Sequence, residues 1–91
     1  MKKRKILLIT TKNCIACKVQ QKNVKAAILQ SKKDIDLEVR DFIEISPRFL
    51  TDIHVTDFPA TLYYTGSTLK LVHQGSTTVS NILTNINKEL K

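Results

Sequence analysis

A helical pattern lies between two strand-like patterns in the first half of the chain, and this order limits the folds that the chain can adopt. Lys5–Thr10 is a short apolar run rich in Ile and Leu, which is typical of a central strand. From about Cys17 to Ser31, apolar and lysine side chains recur at helical spacing, with no Gly or Pro. Residues 35–40 then alternate between apolar and charged side chains, which predicts a strand with one exposed face. Two strands connected by a helix are typical of a parallel crossover.

A short helix and a hairpin follow in the second half of the chain. Ser46-Pro47 is a typical helix start, with Ser as the N-cap and Pro at the first helical position, and it predicts a helix over about residues 47–53. Ala60–Tyr64 and Leu69–His73 are two β-rich runs around a short polar gap that contains a glycine. This arrangement predicts a β-hairpin.

A second amphipathic pattern ends the chain. Gly75 ends the last strand-like run, and Ser76–Lys91 is predicted as a helix with an apolar stripe of Val79, Ile82, Leu83, Ile86 and Leu90. The order strand, helix, strand, helix, strand, strand, helix predicts an α/β fold, with a four-stranded mixed sheet and helices on both of its faces. At 91 residues, the chain fits a single domain over residues 1–91.

The two cysteines lie at the junction between the first strand and the first helix. A bridge between Cys14 and Cys17 closes a very small loop, so it removes little entropy from the unfolded chain and is a poor structural staple. The first turn of a helix has free N–H groups and a partial positive charge that stabilise a thiolate at Cys14, and Lys12 and Lys18 add to this effect. The pattern predicts reversible dithiol chemistry, with Cys14 as the nucleophile, Cys17 as the resolving thiol and no cofactor besides the pair. We expect Cys14 to be exposed and Cys17 to be more buried, because Cys17 shares a helix face with Val24 and Ile28.

Two other interpretations of the cysteine pair stay open at this point. C-x-x-C is also half of many zinc sites, but His54 and His73 follow Cys17 at 37 and 56 residues, which matches no zinc-finger or ribbon spacing. We therefore predict no metal site, and we expect both histidines to be ordinary surface or strand residues. Alternatively, the pair is structural or chemically inert.

Positive charge is concentrated in the first third of the chain. Residues 1–33 contain ten Lys or Arg and no acid, whereas all eight Asp and Glu come from Asp34 onward, and the net charge is +7. Such an imbalance bears on binding partners. Because of the basic run Lys2–Lys5, a nucleic-acid-binding module is the alternative outside redox chemistry. The aromatic residues form no visible stacking motif, which speaks against that alternative.

The amino-terminal segment does not match a secretory signal. Its apolar run, Ile6–Ile9, is shorter than the roughly 7–15 residues of a secretory core, and no small-residue cleavage site follows it. No segment approaches the length of a membrane span. We therefore expect a cytoplasmic protein that does not bind membranes.

With the cysteine pair in this place, the chain resembles the thioredoxin superfamily over nearly its whole length. Cys14-Ile15-Ala16-Cys17-Lys18 is similar to the Cys-x-x-Cys-Lys that begins the active-site helix of that family. Val55-Thr56-Asp57-Phe58-Pro59 resembles the loop that ends in the family's cis-proline, and Gly75 matches a glycine before the last helix. The resemblance implies a cis peptide bond at Pro59, beside the cysteines, and substrate contacts by Phe58 and Pro59.

Several positions depart from the thioredoxin pattern. Asn13 replaces the usual Trp, Ile15-Ala16 replaces Gly-Pro, and Lys22 replaces a frequent Pro. Leu8 stands where thioredoxins have a buried Asp that accepts the proton of the resolving thiol, so another acceptor is needed, and Asp57 is one candidate. In size and element order, the chain is nearer to glutaredoxins.

The resemblance implies a monomeric dithiol electron carrier that reduces protein disulfides in the cytoplasm and contributes to cell redox homeostasis. Lys12, Lys18 and Lys22 are expected to flank the thiols, so we expect protein substrates with acidic surfaces. A thioredoxin-reductase-like enzyme is expected to reduce the pair again. Within this class, the alternative is an electron donor dedicated to one enzyme, such as a ribonucleotide reductase.

Overall fold

A computed structural model describes residues 3–91, so Lys2 of the basic run lies outside the described residues. The elements confirm the predicted order and are β1 (Arg4–Thr10), α1 (Ile15–Ser31), β2 (Ile35–Asp41), α2 (Pro47–Asp52), β3 (Ala60–Thr65), β4 (Thr68–Gln74) and α3 (Val79–Glu89), with a 3-10 turn at Phe42–Glu44. Over residues 3–91, no helix combines the length and the apolar character that crossing a membrane requires.

The four strands form one mixed sheet in the order β2-β1-β3-β4. The β1–β2 pair is parallel, with Arg4 opposite Ile35 and Thr10 opposite Asp41, so α1 is the crossover that the alternating patterns predicted. The β1–β3 and β3–β4 pairs are antiparallel. The predicted α/β fold class, with a four-stranded mixed sheet, is therefore confirmed.

Two apolar clusters hold the helices against opposite faces of the sheet. On one face, Ile6 and Tyr63 of the sheet pack with Val24 of α1 and with Ile82 and Ile86 of α3, and all five side chains are fully buried. The other face is covered in part by the short α2, and its fully buried members are Ile9, Ala60 and Leu62. Because β1 is buried on both faces, it is the near-continuous apolar run that is typical of a central strand.

Local capping explains where the helices begin and corrects one predicted boundary. Ser46 caps α2, as predicted, and the Ser46 Oγ accepts from the Phe49 N–H at 3.4 Å. Pro47 occupies the first turn, also as predicted. The last helix was predicted from Ser76, but α3 begins at Val79 because the extended Thr78 is the N-cap and its Oγ accepts from the Asn81 N–H at 3.1 Å.

Smaller corrections concern segment ends that the hydrophobic pattern does not mark. The hairpin strands are longer than predicted and leave a two-residue turn, at Gly66 and Ser67. The turn at Phe42–Glu44 was not predicted; it forms because Asp41 and Glu44 make a reciprocal capping box.

The burial of α3 generates a stability prediction. We expect Ile86→Ala to lower the free energy of unfolding by about 2–5 kcal/mol, because it leaves a cavity between α3 and the sheet. Ser80→Ala, at an exposed position of the same helix, is the control and is expected to change stability by less than about 0.5 kcal/mol. Denaturant unfolding measures both, and equal effects of the two substitutions would contradict the packing described here.

Candidate active site

Three chain segments meet at one edge of the sheet, where β1 and β2 end, β3 begins and β4 ends. The register places Ile9 opposite Ala60, and Ala60 opposite Gln74. The loop after β1, the residues before β3 and the residues after β4 therefore share this edge. These segments carry Cys14, Pro59 and Gly75 respectively, which are the three landmarks of the sequence analysis.

Cys14 and Cys17 form a disulfide across the first turn of α1, with their Cα atoms 5.2 Å apart. Cys14 is the N-cap of α1, with extended backbone angles, and its Sγ accepts the Cys17 N–H at 2.9 Å. The preceding Asn13 has a φ of 54°, in the left-handed region that asparagine tolerates better than most residues. The turn at Asn13 thus leads the chain from β1 into the cap, where a helix N–H points at sulfur.

The two cysteine residues differ in their exposure to solvent. Cys17 is 4% exposed and lies on the buried face of α1, as its helical spacing predicted. Cys14 was predicted to be exposed, but it is half-buried at the N-cap, where the loop after β1 joins α1. An incoming disulfide therefore reaches Cys14 before Cys17.

The peptide bond between Phe58 and Pro59 is cis, as the resemblance implied, whereas the substrate contacts of these two residues stay a prediction. The Pro59 ring is buried, and the Pro59 carbonyl accepts the Gly75 N–H at 2.7 Å, which extends the β3–β4 ladder by one residue. Phe58 is half-buried and packs on Phe42 with ring centroids 5.4 Å apart. Among residues 3–91, the Phe58 peptide groups have no hydrogen-bond partner, so they are free to pair with another chain.

Both predicted substrate-binding lysines lie in the segment that carries the cysteines. Lys12 is exposed on the loop between β1 and α1. Lys18 is exposed in the first turn of α1, where its N–H bonds the Cys14 carbonyl at 3.3 Å. Their ammonium groups add positive charge near the amino end of α1.

Sequence reasoning missed Gln74, which fixes the loop before Pro59. Its side-chain Oε1 accepts from the N–H groups of Thr56, at 2.8 Å, and of Asp57, at 2.9 Å, and its Nε2 donates to the His54 carbonyl at 3.2 Å. No local sequence pattern predicts these hydrogen bonds, because they join residues 17 to 20 positions apart.

Gln20 was also missed, and it connects α1 to the other two segments. It is fully buried one turn after Cys17, its Nε2 donates to the Thr61 hydroxyl at 2.9 Å, and its Oε1 accepts from the Thr77 N–H at 2.8 Å. Asn23 donates to the Thr77 carbonyl at 2.9 Å, so α1 holds both peptide groups of Thr77. The signal was present: a glutamine stands on the buried stripe between Cys17 and Val24.

The surroundings of Cys17 bear on how its proton is removed. Leu8 is fully buried on β1, and over residues 3–91 the buried side chains with polar groups besides Cys17 are those of Gln20, Thr61 and Tyr63, none of which is a carboxylate. Asp57, the candidate acceptor, is exposed in the loop before Pro59 and accepts from the Thr56 hydroxyl at 3.5 Å.

The two histidines lie on different segments of the chain. His54 follows α2 with a φ of 61°, and His73 lies on β4 opposite Thr61. Within the described part of the chain, no three His, Cys, Asp or Glu side chains gather in a group that could hold a metal ion.

Comparisons with solved structures find the same architecture. The chain matches a malarial protein at 18% identity over 98% of this chain and 99% of the other, with a TM-score of 0.77. It matches thioredoxin-2, a component of the malaria parasite protein secretion machinery, at 17% identity over 96% and 84% of the two chains, with a TM-score of 0.77. It matches oxidised mitochondrial thioredoxin 3 of Saccharomyces cerevisiae at 19% identity over 97% and 80%, with a TM-score of 0.75.

The chain has the thioredoxin fold. Comparisons with protein-family models and with curated proteins give no match. The likeness to solved structures thus shows the fold, and within it the disulfide begins the helix that follows β1, at the edge of the sheet that also carries the cis-proline.

The contacts of Gln74 generate a prediction about the cis-proline loop of this thioredoxin fold. We expect Gln74→Met to accelerate amide hydrogen exchange at Thr56 and Asp57 by roughly tenfold, because both N–H groups lose their acceptor. Gln74→Glu keeps an acceptor and is expected to keep most of the protection. Unchanged exchange at Leu62, in the middle of β3, is the control for an intact sheet, and equal exchange in both variants would contradict the assigned role.

Proposed function

We propose that this protein is a thiol–disulfide oxidoreductase that reduces protein disulfides. The observation that carries the proposal is the disulfide at the amino end of α1, in which the half-buried Cys14 sulfur accepts a helix N–H and Cys17 is buried behind it. This N–H and the helix dipole stabilise a thiolate at Cys14, which is the nucleophile of thiol–disulfide exchange. The thioredoxin fold of the chain supports the same activity.

The reaction balances in two thiol–disulfide exchange steps. The Cys14 thiolate attacks one sulfur of the substrate disulfide, a mixed disulfide forms, and the other substrate sulfur leaves as a thiolate and takes up a proton. Cys17 then loses its proton and attacks the Cys14 sulfur. The Cys14–Cys17 disulfide forms, and the second substrate thiol is released, so the substrate gains the two electrons that the protein loses.

The cis-proline segment supplies a place for the substrate chain. Phe58 has free peptide groups beside the buried Pro59 ring, and an extended polypeptide pairs with such groups as an added strand does. Backbone pairing of this kind does not depend on side chains. It therefore suits a reductase that acts on disulfides within polypeptides.

The proposal includes the setting in which the protein works. We propose a monomeric carrier in the cytoplasm, where a thioredoxin-reductase-like enzyme returns the disulfide to the dithiol. A dedicated donor to one enzyme is the narrower form of the same proposal, and it uses the same two cysteines.

Single-serine variants test the roles of the two cysteines. We expect Cys17→Ser to accumulate a mixed disulfide between Cys14 and a disulfide-bonded protein substrate, because the resolving thiol is gone. Cys14→Ser is expected to form none, because the remaining thiol is buried. Intact-mass spectrometry after acid quenching measures the adducts, and a substrate adduct on Cys17 in the Cys14→Ser variant would refute the assignment.

The leucine at position 8 generates a prediction about pH. Because Leu8 supplies no buried carboxylate, the rate of the resolving step is expected to lack the pH step that a carboxyl with a raised pKa causes. Leu8→Asp is expected to introduce such a step above pH 5, since burial raises the pKa of a carboxyl. Leu8→Asn is the control of matched size without a titrating group. Stopped-flow kinetics across pH 5–9 measures all three, and identical profiles for the Asp and Asn variants would contradict the prediction.

A further inference from the structure

The outer face of α1 carries apolar side chains in water, opposite the face that packs on the sheet. Ile15 is 80% exposed, Val19 is 46% exposed and Leu29 is 79% exposed. Ile15 and Val19 are neighbours one turn apart, and Leu29 lies about 15 Å further along the same face. Burying such side chains against another surface is favourable.

These side chains follow a regular spacing along the helix. Intervals of four and three residues alternate through Ile15, Val19, Lys22, Ala26 and Leu29, which we call the α1 seam. Alternating steps of four and three are the spacing at which one helix packs along another. At 1.5 Å per residue, the seam extends for about 20 Å from its first residue, which directly follows Cys14.

Positive charge lies along the same seam. Lys22 is within it, and Lys18 and Lys25 flank it on one side, at the positions whose charges select the partner in helix pairs. None of the ion pairs among residues 3–91 involves α1, so these ammonium groups are not neutralised within the chain. An acidic helix complements the seam, whereas a second copy of this chain brings an equally basic seam and is repelled.

We propose that the α1 seam docks an acidic amphipathic helix of a partner protein and so presents that partner's disulfide to Cys14. This inference rests on the proposed function and adds the class of substrate. The charge of the seam guides the encounter, and the apolar side chains make the contact specific for a helix. A free carboxylate-rich chain without helical spacing satisfies the charge and leaves Ile15, Val19 and Leu29 in water.

Three synthetic peptides test the docking, each with a disulfide-bonded cysteine pair at one end. The first is a helix with Leu at seam spacing and Glu in the flanking positions, and the second has Lys in place of Glu. The third has the composition of the first in an order without helical spacing. Single-turnover rates of reduction by the full chain are measured at low peptide concentration, relative to each variant's own rate on a small neutral disulfide.

For the unsubstituted chain, we expect the acidic helix to be reduced about tenfold faster than either of the other two peptides at low salt. In the Val19→Ser, Leu29→Ser double variant, we expect the acidic helix to be reduced no faster than the acidic peptide without helical spacing. In the Lys22→Glu, Lys25→Glu double variant, we expect the acidic helix to be reduced no faster than the basic helix. Lys70→Glu with Lys88→Glu makes the same change in net charge at exposed positions of β4 and α3, and it is expected to retain both advantages.

The outcomes separate this inference from the proposed function. Equal rates for the three peptides, together with reduction of the small disulfide, would overturn the docking and leave the oxidoreductase intact. Equal preference for both acidic peptides over the basic helix would show that charge acts without the α1 seam, and it would also overturn the docking. A dimer of the chain that Leu29→Ser dissociates would overturn it as well. Failure to reduce any disulfide, the small one included, would refute the proposed function itself.

Discussion

The packing of α1 on the sheet is the constraint on which the site depends. Val24 and Ala27 are fully buried between the sheet and α3, so the helix axis is fixed relative to β1. The parallel β1–β2 pair requires this crossover, and it brings the amino end of α1 to the edge where β1 ends. As a result, one helix both closes the apolar core and directs the Cys17 N–H at the Cys14 sulfur. Loss of the core and loss of the site are therefore expected to occur together.

Two glutamines connect the segments that meet at the candidate active site. Gln20 joins α1 to β3 and to the segment before α3, and Gln74 joins the end of β4 to the loop before Pro59. The Gln20 amide is fully buried with partners for both its donor and its acceptor, which is the condition under which a polar group in a core stabilises one arrangement. The cis-proline segment is thus held on both sides, by Gln74 before it and through Thr61 after it.

Local signals in the sequence were sufficient for most of the fold, and the misses share a physical cause. The helical pattern of α1, the Ser46 cap and the burial of Cys17 depend on residues within a few positions, and each was predicted correctly. The predicted start of α3 at Ser76 was wrong because Thr78 is the N-cap. The N–H and the carbonyl of Thr77, just before this cap, bond to side chains of α1. Gln74 was missed because its contacts join segments that no periodicity relates.

The pKa of Cys14 in the reduced protein is the decisive quantity, because the amino end of α1 is what favours the thiolate. The measurement is the rate of iodoacetamide alkylation of each thiol as a function of pH, followed by peptide mass mapping. We expect Cys14 to react first, with a pKa below the ordinary value of about 8.5 for cysteine. A Cys14 pKa at or above that value, or faster alkylation of Cys17 than of Cys14 at neutral pH, would contradict it.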